Sequence, residues 1–189
     1  MPANLWRDLP PRPPSSSGLI HVVVETPKRS RNKVEYDPAA GFFRLDRVLY
    51  SSLHYPGEYG FVPQTMHDDG DPLDAIVLVR EPTFTGCVIE ARPVGVFHLI
   101  DGGQADDKIL CVPHRDPLYA HVHELTDVAP HTLKEIEHFF QVYKDLEEKH
   151  TESGGWGDRA VAEREIERAV ELGLAARSAA RPKAEVAAG

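Results

Sequence analysis

The chain has 189 residues, 41% hydrophobic and 27% charged, ordinary values for one soluble globular domain with its own core. Its net charge is −9 at pH 7, which argues against a nucleic-acid partner, because that needs a basic face. No stretch is long and apolar enough to cross a membrane, and Met1 to Trp6 opens no apolar signal segment, so no membrane partner is expected. The cysteines, Cys87 and Cys111, lie in apolar stretches without zinc spacing, as expected of free thiols in a reducing cytoplasm.

Residues 1–18 end in a Pro- and Ser-rich run that reads as a flexible or extended leader. Leu19 to Glu25 is the first predicted strand. A basic loop with Lys28, Arg29 and Arg31 follows. Lys33 to Asp37 alternates polar and apolar, and with Phe42 to Tyr50 across the turn at Pro38 to Gly41 it predicts a hairpin. Simple alternation places Phe43, Leu45, Arg47 and Leu49 on one face. Either the register is inverted, or Arg47 is a snorkelling chain at a sheet edge, or it is a fork reaching into a cleft to clamp an oxyanion. The run His54 to Pro63 is a shaped loop carrying Tyr55 and Tyr59.

The chain is organised around Asp69-Gly70-Asp71-Pro72-Leu73-Asp74. Gly and Pro in alternation exclude a helix interior. The stretch is therefore a turn, and Ala75 to Val79 after it reads as a buried strand. Two unit charges about 4 Å apart interact by about 4 kcal/mol at an effective dielectric near 20. Crowded carboxylates thus need protons, basic chains or a hard divalent cation such as Mg²⁺ or Ca²⁺. A plain solvated turn is the alternative. Cys87 to Asp101 reads as a strand pair bent at Pro93 and Gly95. Asp101 to Lys108, with Asp106, is a second acidic loop between strands, and Lys108 to Pro113 is the next strand. Both acidic loops can converge on one end of a barrel.

The pattern then turns helical. Pro130 to Glu148 carries Leu133, Ile136, Phe139, Phe140, Tyr143 and Leu146 on one stripe. Gly154 to Gly157 breaks it. A second helix runs from an Asp158 N-cap to a Gly173 C′ residue, and residues 174–189 read as a flexible tail. The expected architecture is α+β and mainly β: a small, mostly antiparallel barrel followed by two helices, in a single domain over residues 19–173.

These motifs resemble the soluble family I inorganic pyrophosphatases. The acidic turn matches the family signature D-[SGDN]-D-[PE]-[LIVMF]-D in full. Glu25, Lys33-Val34-Glu35, Asp46-Arg47, Tyr55-Pro56 with Tyr59-Gly60, Asp101 with Asp106 and Lys108, and Tyr143-Lys144 match in order. The resemblance implies a five-stranded OB-like antiparallel barrel with two flanking C-terminal helices. It also implies hydrolysis of pyrophosphate to two phosphates by direct attack of a metal-activated water, with several Mg²⁺ ions and Mn²⁺ as a substitute. Carried over by position, Asp69, Asp74, Asp101 and Asp106 are metal ligands, and Glu25 and Glu35 hold metal-bound waters or basic groups. Lys33, Arg47, Tyr59, Lys108, Tyr143 and Lys144 hold phosphate oxygens. Either Asp71 or Asp106 is the proton acceptor. Family members of this length imply a homo-oligomer, a hexamer in preference to a dimer. Glu58 departs from the pattern: it stands near the expected phosphate site or faces solvent.

Rival readings are weaker. An EF-hand loop needs Glu at its twelfth position, where this chain has Arg80. A nucleic-acid-binding barrel conflicts with the charge. A phosphohydrolase acting on nucleotides or sugar phosphates shares the site logic.

Overall fold

A computed structural model describes residues 4–14, 16 and 18–179. In chain order the strands are β1 (Ile20–Thr26), β2 (Asn32–Asp37), β3 (Phe42–Val48), β4 (Glu58–Phe61), β5 (Asp74–Val77), β6 (Val88–Asp101), β7 (Gln104–Ala105), β8 (Lys108–Pro113) and β9 (Thr151–Asp158). The helices are α1 (Pro130–Val142) and α2 (Arg159–Ala179). Strands β1, β4, β5, β8 and β6 pair in that order, and β6 returns to β1, so five strands close a ring. The fold is mainly β with two C-terminal helices, as the resemblance implied. Strands β2 and β3 form the predicted hairpin as a separate two-stranded sheet.

Antiparallel pairing has one exception in the ring. Strands β5 and β8 run parallel, with Asp74 opposite Lys108. Both strands therefore start at the same end of the barrel, and the loops that lead into them share one rim.

The hairpin corrects the expected facing of Arg47. Lys33 pairs with Arg47, but Val34 pairs with Leu45, so Asp46 is an extra residue in β3. Such a bulge turns the following side chain over. Phe43 and Leu45 stay on the Tyr36 and Val34 side, while Arg47 joins the face of Lys33 and Glu35. The stretch expected as a strand pair is one long strand, β6, and its register shifts between Pro93 and Gly95.

Helix α1 buries Ile136, Phe139 and Phe140 against Tyr55, Tyr59, Phe97 and Leu110. Burying each large apolar chain is worth about 2–3 kcal/mol. The helix ends at Tyr143 and does not reach Glu148. Lys144 leaves helical geometry, at φ −103° and ψ 0°, and its ammonium pairs with Asp101. A 3₁₀ turn follows at Asp145–Glu147, which brings Glu147 to Arg47. These charge pairs end the helix early and leave Leu146 exposed.

The glycine-rich stretch expected to interrupt the helices is strand β9, paired antiparallel to β6. Glycine is rare in strands, but here it marks close backbone approach. A Cβ at Gly154 would lie 2.9 Å from the His98 Cβ, and one at Gly157 would lie 2.8 Å from the Val96 Cγ1. Asp158 caps α2 as predicted, accepting from the Val161 amide at 2.9 Å.

At the N-terminus, residues 4–14 are seated on the domain. The Trp6 indole donates to the Thr65 carbonyl at 3.0 Å, the Leu5 amide donates to the Tyr36 hydroxyl at 2.9 Å, and Leu5 and Trp6 pack beside Val23, Tyr36 and Phe61. Helix α2 runs past Gly173 to Ala179, so residues 174–179, expected in the flexible tail, are helical. Residues 180–189 lie outside the described part. Gly173 is a packing residue, since a Cβ there would sit 2.1 Å from the Gln64 carbonyl oxygen.

Gly173→Ala is therefore expected to destabilise by about 1–3 kcal/mol through overpacking, although Gly→Ala inside a helix ordinarily stabilises by about 0.5–1 kcal/mol. Urea denaturation of the variant checks the sign.

Candidate active site

The two acidic loops meet. A cleft of about 440 Å³ at the shared rim is lined by Asp69, Asp71, Asp74, Asp101 and Asp106, with Glu25, Lys33, Glu35, Tyr59, Tyr143 and Lys144. The first loop is held by its own backbone: the Asp71 amide donates to the Asp69 carboxylate at 3.0 Å, and the His67 amide donates to the Asp71 carbonyl at 2.7 Å. The second loop turns on Gly102 and Gly103, at φ +58° and +83°, the two left-handed positions of a two-residue hairpin. That turn returns the chain as β7 and delivers Asp106 beside Asp101.

Lys108 joins the loops from below. Its side chain is 1% exposed, and its ammonium donates to Asp74 at 2.6 Å and to Asp106. Burial opposes the charge, but Asp74 and Asp106 outweigh it and hold the Lys108 pKa above its usual value. The Tyr59 hydroxyl donates to the same Asp74 oxygen. Burial, with Asp74 and Asp106 nearby, holds Tyr59 well above the ordinary phenol range. Tyr143 is raised in the same way by burial, Asp106 and Asp101. Both phenols thus stay neutral donors. Their rings are set by the aromatic wall of α1, where Tyr143 stacks on Phe139 at 5.3 Å and Tyr59 lies 6.0 Å from Phe140.

The hairpin β2–β3 supplies the other wall. Lys33 donates to Glu35 at 2.5 Å and lies 3.7 Å from Asp46. Glu25, at the end of β1, accepts the Tyr36 amide at 2.6 Å, and burial pushes its pKa up to about 8 against that hydrogen bond. Asp71 is also raised, first by burial and then by Asp69 and Asp74. Its carboxylate makes no hydrogen bond among the described residues.

Arg47 stands at the edge of this group and not on the cleft lining. Its Nε donates to Glu147 at 2.9 Å and its Nη1 to Asp46 at 2.5 Å. Its Nη2 is buried without a partner. Burial opposes the guanidinium charge, but Glu147 and Asp46 hold it firmly protonated. Sequence reasoning missed Glu147, because its position on a continued helix would have carried it elsewhere. It also missed Arg44, which lines the cleft 3.7 Å from Glu35. Glu58 neither joins the cleft nor faces solvent. It is fully buried, and its Oε1 accepts the Thr83 amide at 2.7 Å. A separate cavity of about 690 Å³ is lined mostly by apolar chains with Lys28, Arg29, His121 and His138. It is larger, but no set of carboxylates converges there.

The family model for inorganic pyrophosphatase matches residues 22–173. The chain belongs to the soluble family I inorganic pyrophosphatases. An inorganic pyrophosphatase of Synechocystis is 56% identical over 142 residues, which cover 75% of this chain and 84% of that one. One of Haloferax volcanii is 49% identical over 170 residues, 89% of this chain and 96% of that one. The crystal structure of inorganic pyrophosphatase from Thermus thermophilus superposes with a TM-score of 0.86 at 39% identity, covering 91% of this chain and 99% of that one. Enzymes of this family hydrolyse pyrophosphate to phosphate.

Lys108→Met is expected to cost about 3 kcal/mol or more, because it strands Asp74 and Asp106 without their buried counter-charge. Adding Asp106→Asn should recover part of that loss, and urea denaturation of the single and double variants measures it.

Proposed function

We propose that the chain hydrolyses inorganic pyrophosphate to two phosphates by direct attack of water in the cleft, with bound Mg²⁺. The observation that carries this reading is the meeting of Asp69, Asp71, Asp74, Asp101 and Asp106 with Lys33, Lys144, Tyr59 and Tyr143 around one small cleft.

The donor set fits a hard divalent cation, since it is made of carboxylate oxygens from separate loops. Asp69, Asp74, Asp101 and Asp106 would hold Mg²⁺ or its substitute Mn²⁺, with Glu25 and Glu35 behind them. Bound there, the cations would neutralise phosphate charge and acidify the attacking water. Asp74 and Asp106 are engaged by Lys108, and Asp101 by Lys144, so these carboxylates would be shared between the ammonium groups and a bound cation. Lys33, Lys108 and Lys144 then serve the phosphate oxygens as point charges, and Tyr59 and Tyr143 as directed neutral donors. The unpartnered Nη2 of Arg47 is a donor held in reserve for a phosphate oxygen, because a buried N–H without a partner is costly.

Asp71 takes the proton of the attacking water. Its carboxylate makes no hydrogen bond among the described residues, whereas Asp106 already accepts from Lys108. A homo-oligomer, a hexamer in preference to a dimer, and a cytoplasmic setting complete the reading. No described helix is long and apolar enough to cross a membrane, and Cys87 and Cys111 are free thiols.

Phosphate release from pyrophosphate should require Mg²⁺, stop with EDTA and exceed release from ATP or monoesters. Faster release from nucleotides would favour the broader phosphohydrolase reading. Asp71→Asn is expected to lower kcat by about 10²–10⁴-fold while Mg²⁺ binding by calorimetry changes little. Arg47→Ala is expected to raise KM in a variant that still folds, at some loss of stability because the buried Glu147 loses its counter-charge. Unfolding of that variant instead would assign Arg47 a packing role.

A further inference from the structure

A second group of side chains converges outside the cleft. His67, Asp107 and Glu165 each offer one donor atom, and these atoms all lie within 4.8 Å of one another. They come from three places: the segment before the first acidic turn, the second acidic loop and helix α2. None of them lines the cleft. His67 is 6% exposed and Asp107 8%, while Glu165 is half-buried. The His67 ring makes no hydrogen bond or ion pair among the described residues. One of its ring nitrogens lies within 4.8 Å of a carboxylate oxygen of both Asp107 and Glu165, with no protein partner among the described residues to hold it there.

The carboxylates are braced from outside. The His98 Nδ1 lies 3.0 Å from the Asp107 Oδ2. Arg168 lies 3.6 Å from Glu165 and holds Asp68 at 2.6 and 2.7 Å. Outer partners of this kind orient metal-ligating carboxylates and leave their remaining oxygens for the ion. Bonds of about 2.0–2.2 Å to nitrogen and oxygen require the donors to close by no more than a rotamer adjustment. One imidazole with two carboxylates suits a borderline transition ion, whereas Mg²⁺ prefers oxygen alone.

We propose that His67, Asp107 and Glu165 form a binding site for one divalent transition ion of the zinc class, separate from the cleft. Such an ion would tie both acidic loops to α2. His67 is part of the first loop's own hydrogen bonding, since its carbonyl accepts the Gly70 amide at 3.0 Å, and Asp107 lies between Asp106 and Lys108. The ion would therefore brace the rim of the cleft from behind without entering it.

The test uses the full chain in saturating Mg²⁺, which occupies oxygen-only sites. Co²⁺ is then titrated by equilibrium dialysis and visible absorption, and Zn²⁺ by calorimetry and thermal unfolding. The expected result is one Co²⁺ retained per chain, with the intense visible bands of a low-coordinate, nitrogen-bearing site. Zn²⁺ should raise the melting temperature. His67→Ala and Glu165→Gln should each weaken Co²⁺ binding by at least about tenfold and abolish the bands and the Zn²⁺ shift. Equal Co²⁺ affinity and spectra in the parent and both variants would overturn the proposal, as would loss of all Co²⁺ to Mg²⁺. If His67→Ala does not fold, Glu165→Gln decides alone, because that change keeps the size of the side chain.

Discussion

The ammonium of Lys108, held between Asp74 and Asp106, is the contact on which the rest of the cleft depends. It exists because β5 and β8 run parallel with Asp74 opposite Lys108. In an antiparallel pair, the two strands would begin at opposite ends of the barrel, and so would the acidic loops that precede them. One parallel pair in an otherwise antiparallel ring brings both loops to one rim. The carboxylates then crowd, and a buried cation at their base offsets part of their repulsion. The burial that makes this cation costly is outweighed by the two carboxylates it touches.

Around that contact, apolar packing sets the polar groups. Phe139 and Phe140 of α1 lie at right angles with centroids 5.0 Å apart, and they seat the rings of Tyr143 and Tyr59. A ring wedged in this way has little rotational freedom left to lose. Its hydroxyl is then already aimed, which is what a directed donor in a charged cleft requires. The Lys108 ammonium also lies 5.7 Å from the Tyr59 ring centroid and 5.9 Å from that of Phe140, within cation–π range. The aromatic wall and the charged floor are one packed unit.

Much of this was legible in the sequence, and the exceptions share a cause. Strand β1, the β2–β3 hairpin, β5 and α1 announced themselves by local periodicity. The signature turn lies on the cleft, and the ordered motifs named most of its lining but not Tyr36, Asp37, Pro38, Arg44 or Phe61. Three features escaped because long-range contacts set them. The bulge at Asp46 turns Arg47 to the charged face, and no local pattern marks it. Strand β9 carries glycines because His98 and Val96 press against it, and in sequence those glycines look like a break. Helix α1 stops at Tyr143 because Lys144 and Glu147 are drawn to Asp101 and Arg47, which are distant in the chain. Gly173 misleads in the opposite sense, since it resembles a helix terminus and serves a close approach to Gln64.

The charge pattern of the cleft explains how an acidic chain can take an anionic substrate. Lys33 is paired with Glu35, Arg47 with Asp46 and Glu147, Lys108 with Asp74 and Asp106, and Lys144 with Asp101. Each of these cations is already matched by a carboxylate, so the protein alone offers a polyanion little uncompensated positive charge. Under the proposed reading, divalent ions that engage the carboxylates release the lysines to the phosphates. The cations and the anion then each raise the other's affinity, as linkage between two sites requires. Under that reading, the pairing that holds these chains in the free protein would be the device that makes substrate binding depend on metal.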